Sequence, residues 1–450
     1  MTTELPLPAL IRADKARADR VKQYQTNRRY YDGQHTFRQP LKNPRPIARN
    51  FVGLFVDTAA SHMGSPTISW AAPGKNTTVW DDYVASAIEH NGGEQLLYDS
   101  ELACSIDGDA AWKTTWNDRD GLVNVAQVDA ATLWASGRPD DPRAIESVAQ
   151  QYTMAPRDAP VMFPGRVVSL AKAITVTEEW STERWRVWFD DTLMSDEPNP
   201  YGFIPYVIYP NVRTPGSVWG NGDPERLQPV QDRLNEAGWD KDKLMTLAGS
   251  IVVLQGVDGE GDIRVAPGVI WELPDAASAT VLDMLQGNAL RAHHEHMDEI
   301  RSVLHQLARV PEAALGDNTG TAPLSGAALA IKLQPLVRLV ARKRLSRTAA
   351  LQRLATHIVA LGAKFGALAD PPPGAPSVTW TDAIPSDRAD DLSAAEAELR
   401  LGRSHAAVLS SIGVEDPAAE LRTRAAENKA LGETIDRTGP QPAPAAPAGS

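Results

Sequence analysis

The chain has 450 residues, 42% of them hydrophobic and 23% charged, which is the ordinary composition of a globular protein. Its formal net charge of −12 argues against a protein that grips nucleic acid through a broadly basic surface. Cys104 is the only cysteine, which excludes an intrachain disulfide and a zinc site built from cysteines. No apolar run approaches the length of a membrane-spanning helix.

The N-terminal part is predicted to be helical. Residues 9–31 form a charged helix, and we favour a solvent-exposed face for it over a DNA contact because acids are interleaved with its Lys and Arg. Three further helices are expected at residues 47–63, 77–91 and 93–104.

From Asp109 to about Pro210 the pattern changes to alternating, aromatic-rich stretches separated by turn signals, which predicts strands. This region contains several tryptophans, which either stack on single-stranded DNA or pack in a core. The surroundings are acidic, so we favour core and cross-strand packing for Trp112, Trp116, Trp180, Trp185 and Trp188.

Two long amphipathic helices follow, at 223–248 and 282–310, with a short strand-like segment between them. Asp223 is the predicted N-cap of the first helix, and Pro311 ends the second. Helices of this size are about 30–37 Å long. Because so narrow a hairpin cannot bury its apolar stripe alone, we predict that copies of the chain cover it in a ring. The stripe consists of Leu227, Val230, Leu234, Met297, Ile300 and Leu304.

Residues 311–325 are rich in Gly and Thr and lack an apolar anchor, which predicts a mobile loop. The longest helix follows at 326–366, and Pro335 within it predicts a kink. Its Lys and Arg residues have no acidic neighbour along the helix. We favour pairing with acids of an adjacent subunit over a DNA-binding stripe.

The C-terminal part begins with a strand expected within residues 367–386. Residues 387–435 are predicted to be helical and acidic, and the Pro/Ala-rich residues 436–450 to be disordered. The whole chain is therefore of the α+β class, mainly helical.

Motifs for catalysis are missing. No phosphate-binding loop and no nucleophile elbow occurs. His293, His296 and Glu299 recur at three-residue steps on one helix, and we favour helix packing over a metal site for them. The acidic pairs Asp107/Asp109 and Asp190/Asp191 could hold Mg²⁺ for a nuclease, but acidic doublets are common in turns, and we do not favour this role. We therefore predict no enzymatic activity, no cofactor and no metal.

Five stretches, taken in order, resemble the portal proteins of tailed bacteriophages, of the siphovirus or actinobacteriophage type. The stretches are RRYYDGQH, ARNFVGLFVDTAASHMGSP, NPYGFIPYVIYPN, GNGDPERLQPVQDRLNEAGWD and RVPEAALGDNTGTAPLSGAALAIKL. No single stretch is diagnostic, but the ordered set covers nearly the whole chain.

The resemblance implies a portal-type fold with an α/β wing, a helical-hairpin stem with a small β clip, a long kinked spine helix and a helical crown. Its parts are the wing at 1–222, the stem helices at 223–248 and 282–310, the clip at 249–281, the tunnel loop at 311–325, the spine at 326–366, the wing return at 367–386, the crown at 387–435 and the tail at 436–450.

The resemblance also implies a ring of twelve subunits at one capsid vertex of the virion, assembled in the cytoplasm of the bacterial host and without a membrane. Double-stranded DNA would pass through it, and the terminase large subunit, a head-tail adaptor, the major capsid protein and the scaffold would be its partners. The tunnel-loop residues expected to face DNA are Gly316, Asp317, Asn318, Thr319, Gly320 and Thr321. The alternatives are a minor capsid structural protein or a metal-dependent DNA phosphodiesterase.

Overall fold

The chain divides into two compact units, Met1–Ala383 and Ile384–Ser450, which are considered separately. The computed structural model describes residues 6–35, 49–71, 77–138, 140–141, 143–158, 163, 172–248, 252–255, 278–281, 289–316, 326–372, 374–383, 388–411, 414, 417 and 419–427.

Helices form the N-terminal part, the hairpin and the long segment that follows it, as the apolar periodicity predicts. Their bounds are α1 Leu7–Ala13, α2 Lys15–Tyr31, α3 Phe51–Ser61, α4 Thr78–His90, α5 Gly93–Asp107, α6 Pro224–Ala248, α7 Ala289–Ala308 and α8 Gly326–Lys364. In the second unit, α9 Arg388–Arg400 and α10 His405–Ser411 are short. With 39 residues, α8 is the longest of these helices, and Pro335 lies inside it.

Among the described residues, strands occupy the predicted region and six short segments outside it. Their bounds are β1 Pro66–Ser69, β2 Asp109–Asn117, β3 Leu122–Val128, β4 Leu133–Gly137, β5 Ile145–Met154, β6 Ile174–Ser181, β7 Arg184–Phe189, β8 Thr192–Pro198, β9 Tyr206–Pro210, β10 Val212–Arg213, β11 Gly220–Asn221, β12 Val252–Gln255, β13 Ser278–Val281 and β14 Ser377–Trp380. The pairings are antiparallel, in sheets ordered β4-β5-β6-β7-β8, β3-β2-β9, β1-β14, β10-β11 and β12-β13.

The tryptophans of the β region pack within the protein, so the packing interpretation is confirmed. Trp112 and Trp180 are 2% and 5% exposed. Trp185 stacks on Trp180 with ring centroids 5.2 Å apart, and Trp116 stacks on Phe365 at 4.9 Å. The first contact links the neighbouring strands β6 and β7, and the second links β2 to the residue just after α8.

The C-terminal half of α8 lies at the centre of the first unit. Leu351, Leu354 and Ile358 are buried in one cluster with side chains of β2, β9 and α4. Gly362 of α8 allows a close approach of α8 to Tyr83 of α4, because a Cβ at this position would lie 2.6 Å from Cε1 of Tyr83. After α8, β14 pairs with β1, so the chain returns to its N-terminal part as the sequence predicts.

The predicted N-terminal helix is interrupted at Asp14, whose carboxylate caps α2 by accepting a hydrogen bond from its third residue. The expectation that its basic face is solvated is wrong for two arginines. The Arg20 guanidinium lies 3.5 Å from the ring centroid of Trp219. Arg28 pairs with Asp107 at 2.6 Å. These arginines hold α2 against the end of α5 and against the segment that leads into α6.

Candidate functional site

The two helices that the sequence predicts to form the stem, α6 and α7, pack against each other, and we keep the name stem for this pair. His293 Nε2 of α7 lies 2.9 Å from the backbone oxygen of Ala237 of α6. This is the helix contact that the sequence favoured over a metal site, and His296 Nδ1 lies 3.8 Å from Glu299. Within the described residues, no group of three or more His, Cys, Asp or Glu side chains is placed to hold a metal ion.

The apolar stripe of the stem is buried inside this chain. The side chains of α3 and α8 cover it, among them Phe55, Leu336 and Val340. This corrects the premise that only copies of the chain can cover the stripe. A contact between subunits on the stem must therefore use the side chains that this core leaves exposed. The fractional exposures are 2% for Leu227, 3% for Leu234, 6% for Met297, 7% for Ile300 and 0% for Leu304, while Val230 is half-buried.

Lys343 of α8 is fully buried where α8, α5 and the start of α6 meet. Its Nζ lies 2.5 Å from Oδ2 of Asp223, the residue immediately before α6, and 2.8 Å from Oγ of Ser105 in α5. Glu101 Oε1 is 3.9 Å away. One ammonium group thus links three elements that are far apart in the sequence.

One helical turn later, Arg347 makes a bidentate pair with the buried Glu101. Its Nε and Nη2 lie 2.7 and 2.9 Å from the two carboxylate oxygens. Nη1 also donates to the backbone oxygen of Asn211 at 2.9 Å. Burial alone would raise the pKa of Glu101, but the attraction of Arg347 and Lys343 outweighs it and holds that pKa below its usual range. Glu101 is therefore ionised at neutral pH.

Asp109 of β2 also fixes the segment that precedes α6. Its Oδ1 accepts a hydrogen bond of 2.8 Å from Gly220 N, and Oδ2 accepts one from the Tyr24 hydroxyl. Burial raises the pKa of Asp109 to about 7, although both hydrogen bonds oppose the shift. Asn211 completes the junction by donating to Asp223 Oδ1 at 2.8 Å. The direction in which the stem leaves the β region is thus set by buried polar contacts.

The acidic pairs that the sequence offered as metal ligands are bonded to protein donors. Asp107 accepts two hydrogen bonds from Arg28, and Asp109 accepts those just described. Asp191 pairs with Arg12 at 2.6 Å, and Asp190 Oδ1 accepts from Thr175 N at 3.1 Å. These contacts suit a structural role for the four carboxylates.

A family model described as phage portal protein, SPP1 Gp6-like, matches residues 12–433 of the chain. The chain belongs to this family. The match spans both stem helices, α8 and β14, and the portal family is structural and associated with the phage capsid. No curated protein matches this portal protein significantly. Within the described residues, no helix is both long and apolar enough to cross a membrane.

The segment predicted to be the tunnel loop, residues 311–325, is described only at its N-terminal end. A short 3₁₀ turn, Glu312–Leu315, follows α7, and Gly316 ends it with a φ of +80°, a conformation that favours glycine. The next described residue is Gly326, where helix α8 begins. The other predicted loop residues, Asp317, Asn318, Thr319, Gly320 and Thr321, lie outside the described residues, as does most of the clip around β12 and β13. Their contact with DNA stays a prediction.

Sequence reasoning missed the buried junction of this portal protein, because it assigned all the bases of α8 to a neighbouring subunit. A signal was present. Lys343 and Arg347 stand in the buried stripe of α8, between Val340 and Ala350, at the three- and four-residue steps of the core positions. A base in register with core residues indicates an internal ion pair, because a buried charge needs a partner.

Proposed function

We propose that this portal protein forms a ring of twelve subunits at one capsid vertex, through which double-stranded DNA enters during genome packaging and leaves during ejection. The ring docks the terminase large subunit during filling and the head-tail adaptor afterwards, and it meets the major capsid protein and scaffold at the vertex. The match to the portal family over residues 12–433 carries this proposal. The number of subunits and the partners follow from the resemblance to that family.

The charge of the chain supports a conduit. Duplex DNA carries about one negative charge per 1.7 Å, so a strongly basic wall would hold it through counterion release. The net charge of this chain is −12. On the stem, Glu295, Asp298 and Glu299 of α7 are exposed. A mainly acidic ring lets DNA slide with few lasting contacts.

Electron microscopy of the purified protein in negative stain tests the proposal. We expect rings with a central hole. A minor capsid structural protein would give no axial rings. A phosphodiesterase would nick supercoiled plasmid in the presence of Mg²⁺, and this activity would be lost in chelator. Absence of rings at every protein concentration tried would refute the proposed function.

The predicted tunnel loop supplies a second test. Replacing Asp317 and Asn318 with lysine should slow DNA packaging into empty heads, because each subunit would gain about two phosphate contacts. The rate should also depend more steeply on salt, by a slope of about 0.9 per added contact. Packaging is measured at two salt concentrations.

The matched control places the same charge change on the exposed part of the wing, as Asp118→Lys with Thr192→Lys. Both variants should still form rings. Packaging at parental rates and both salt concentrations by the loop variant would mean that the loop does not face DNA.

A further inference from the structure

Three arginines from different helices line one small pocket on the surface of the first unit. They are Arg226 of α6, Arg309 just after α7, and Arg342 of α8. Among the described residues, none of the three has an ion-pair partner within 4.0 Å. Asp223 lines the same pocket, but its oxygens accept hydrogen bonds from Lys343 and Asn211. Three guanidinium groups close together without a free counter-charge repel each other electrostatically. The pocket is therefore suited to bind an anionic group.

The outer side of α8 extends this patch. At 3.6 residues per turn, Ile331, Arg338, Arg342 and Leu345 fall within an arc of about 60°. Ile331 and Leu345 are 72% and 74% exposed, and Leu307, which also lines the arginine pocket, is 43% exposed. We define the arginine face as Arg226, Arg309, Arg338 and Arg342 with Leu307, Ile331 and Leu345.

Opposite charge is concentrated in another segment. Residues 327–369 contain eight Lys and Arg and no acid, whereas residues 76–112 contain eight Asp and Glu and no Lys or Arg. Some acids of the second segment are used internally, such as Glu101 with Arg347. Asp82, Glu89, Glu94 and Asp99 are exposed along α4 and α5, as are the apolar side chains of Val79 and Tyr98. We define the acidic face as Val79, Asp82, Glu89, Tyr98 and Asp99.

The two faces cannot meet within one chain. Arg347 points from α8 toward Glu101 of α5. Arg338, Arg342 and Leu345 lie about 140–180° around the helix from Arg347, so they point away from α5. The chain therefore carries complementary faces in different directions, which is the arrangement that a head-to-tail interface requires.

We propose that the arginine face binds the acidic face of a second copy of this chain. The inference rests on the proposed ring and assigns its subunit contact to these residues instead of the buried stem stripe. Each arginine pocket is completed by carboxylates of the neighbour, and each neighbour offers its own arginine face to the next copy. Such a contact closes into a ring when the rotation between copies allows it.

A second copy fits the arginine face better than DNA does. Exposed Leu and Ile side chains lie among the arginines, and arginine with apolar side chains is typical of contacts between proteins. Contacts to the DNA backbone are made mostly by polar donors on phosphate oxygens. DNA is therefore retained as an alternative outcome of the test.

Two charge-reversed variants test the contact. One carries Arg226→Glu, Arg309→Glu and Arg342→Glu, and the other carries Asp82→Lys, Glu89→Lys and Asp99→Lys. Each alone should lose rings at the concentration at which the parent forms them, because like charges then meet at every contact. An equimolar mixture should regain rings. The altered, now acidic face of the first variant can bind the altered, now basic face of the second, and the unaltered arginine face of the second can bind the unaltered acidic face of the first. Mass is measured by light scattering and native mass spectrometry.

The control reverses three exposed arginines outside the face, with Arg29→Glu, Arg119→Glu and Arg157→Glu, and it should keep its rings. Melting temperatures close to that of the parent show that each variant is folded. Rings formed by the arginine variant alone, or a mixture of the two variants that stays monomeric, would overturn the inference while the proposed function stands. Rings of the arginine variant that assemble but fail to package DNA would assign the arginines to DNA. A parent that forms no ring refutes the proposed function and the inference together.

Discussion

Replacing Glu101 with glutamine is expected to lower the free energy of unfolding by about 3–5 kcal/mol, because it leaves buried cations without their carboxylate. Arg347 is 3% exposed and Lys343 is 0% exposed, so bulk solvent has little access to these cations. Asp223 would still pair with Lys343, but Arg347 would keep only neutral acceptors, such as those of Asn211. The change is measured by urea unfolding as a shift of the midpoint at constant slope.

The matched control is Glu94→Gln on the same helix, because Glu94 is exposed and its loss should cost less than about 0.5 kcal/mol. A double variant, Glu101→Gln with Arg347→Met, should recover part of the stability that the single variant loses. The coupling between the two positions then reports the pair itself. Equal stability of the Glu101 and Glu94 variants would show that the buried network does not hold the junction together.

Replacing Leu304 with alanine is expected to cost about 2–5 kcal/mol of stability, since it opens a cavity in a packed core. Leu304 is 0% exposed and belongs to the cluster that includes Phe55 of α3 and Leu336 of α8. The loss should appear in each isolated subunit, whether or not rings are present. Urea unfolding at concentrations too low for assembly measures it.

Leu307→Ala, one turn further along α7, is the comparison, because Leu307 is 43% exposed. It should change subunit stability by less than about 0.5 kcal/mol, and it should weaken ring assembly because Leu307 belongs to the arginine face. The opposite pattern would restore the stem stripe as the subunit contact. In that pattern Leu304→Ala would abolish rings without loss of subunit stability, and Leu307→Ala would be neutral in both measurements.

Local pattern in the sequence was enough to predict the order and type of the main elements. Apolar residues at three- and four-residue steps predict α6, α7 and α8, because that spacing places them on one face of an α-helix. Alternation predicts the strands between Asp109 and Pro210, and the acidic surroundings led to the correct interpretation of the tryptophans as packing residues. The ordered motifs also indicated the family that the comparison shows.

What covers each face was decided only by the tertiary structure. Periodicity identifies an apolar stripe on the stem but not its partner, and α3 and α8 of the same chain provide that partner. The sequence likewise shows the Lys and Arg residues of α8 but not the groups with which they pair. Glu101 and Arg347 are 246 residues apart, so the register of Arg347 with core positions indicates an internal partner but not which residue it is. The arginine face is a second example, since it brings together residues of α6, of α8 and of the end of α7, whose packing is set by the core.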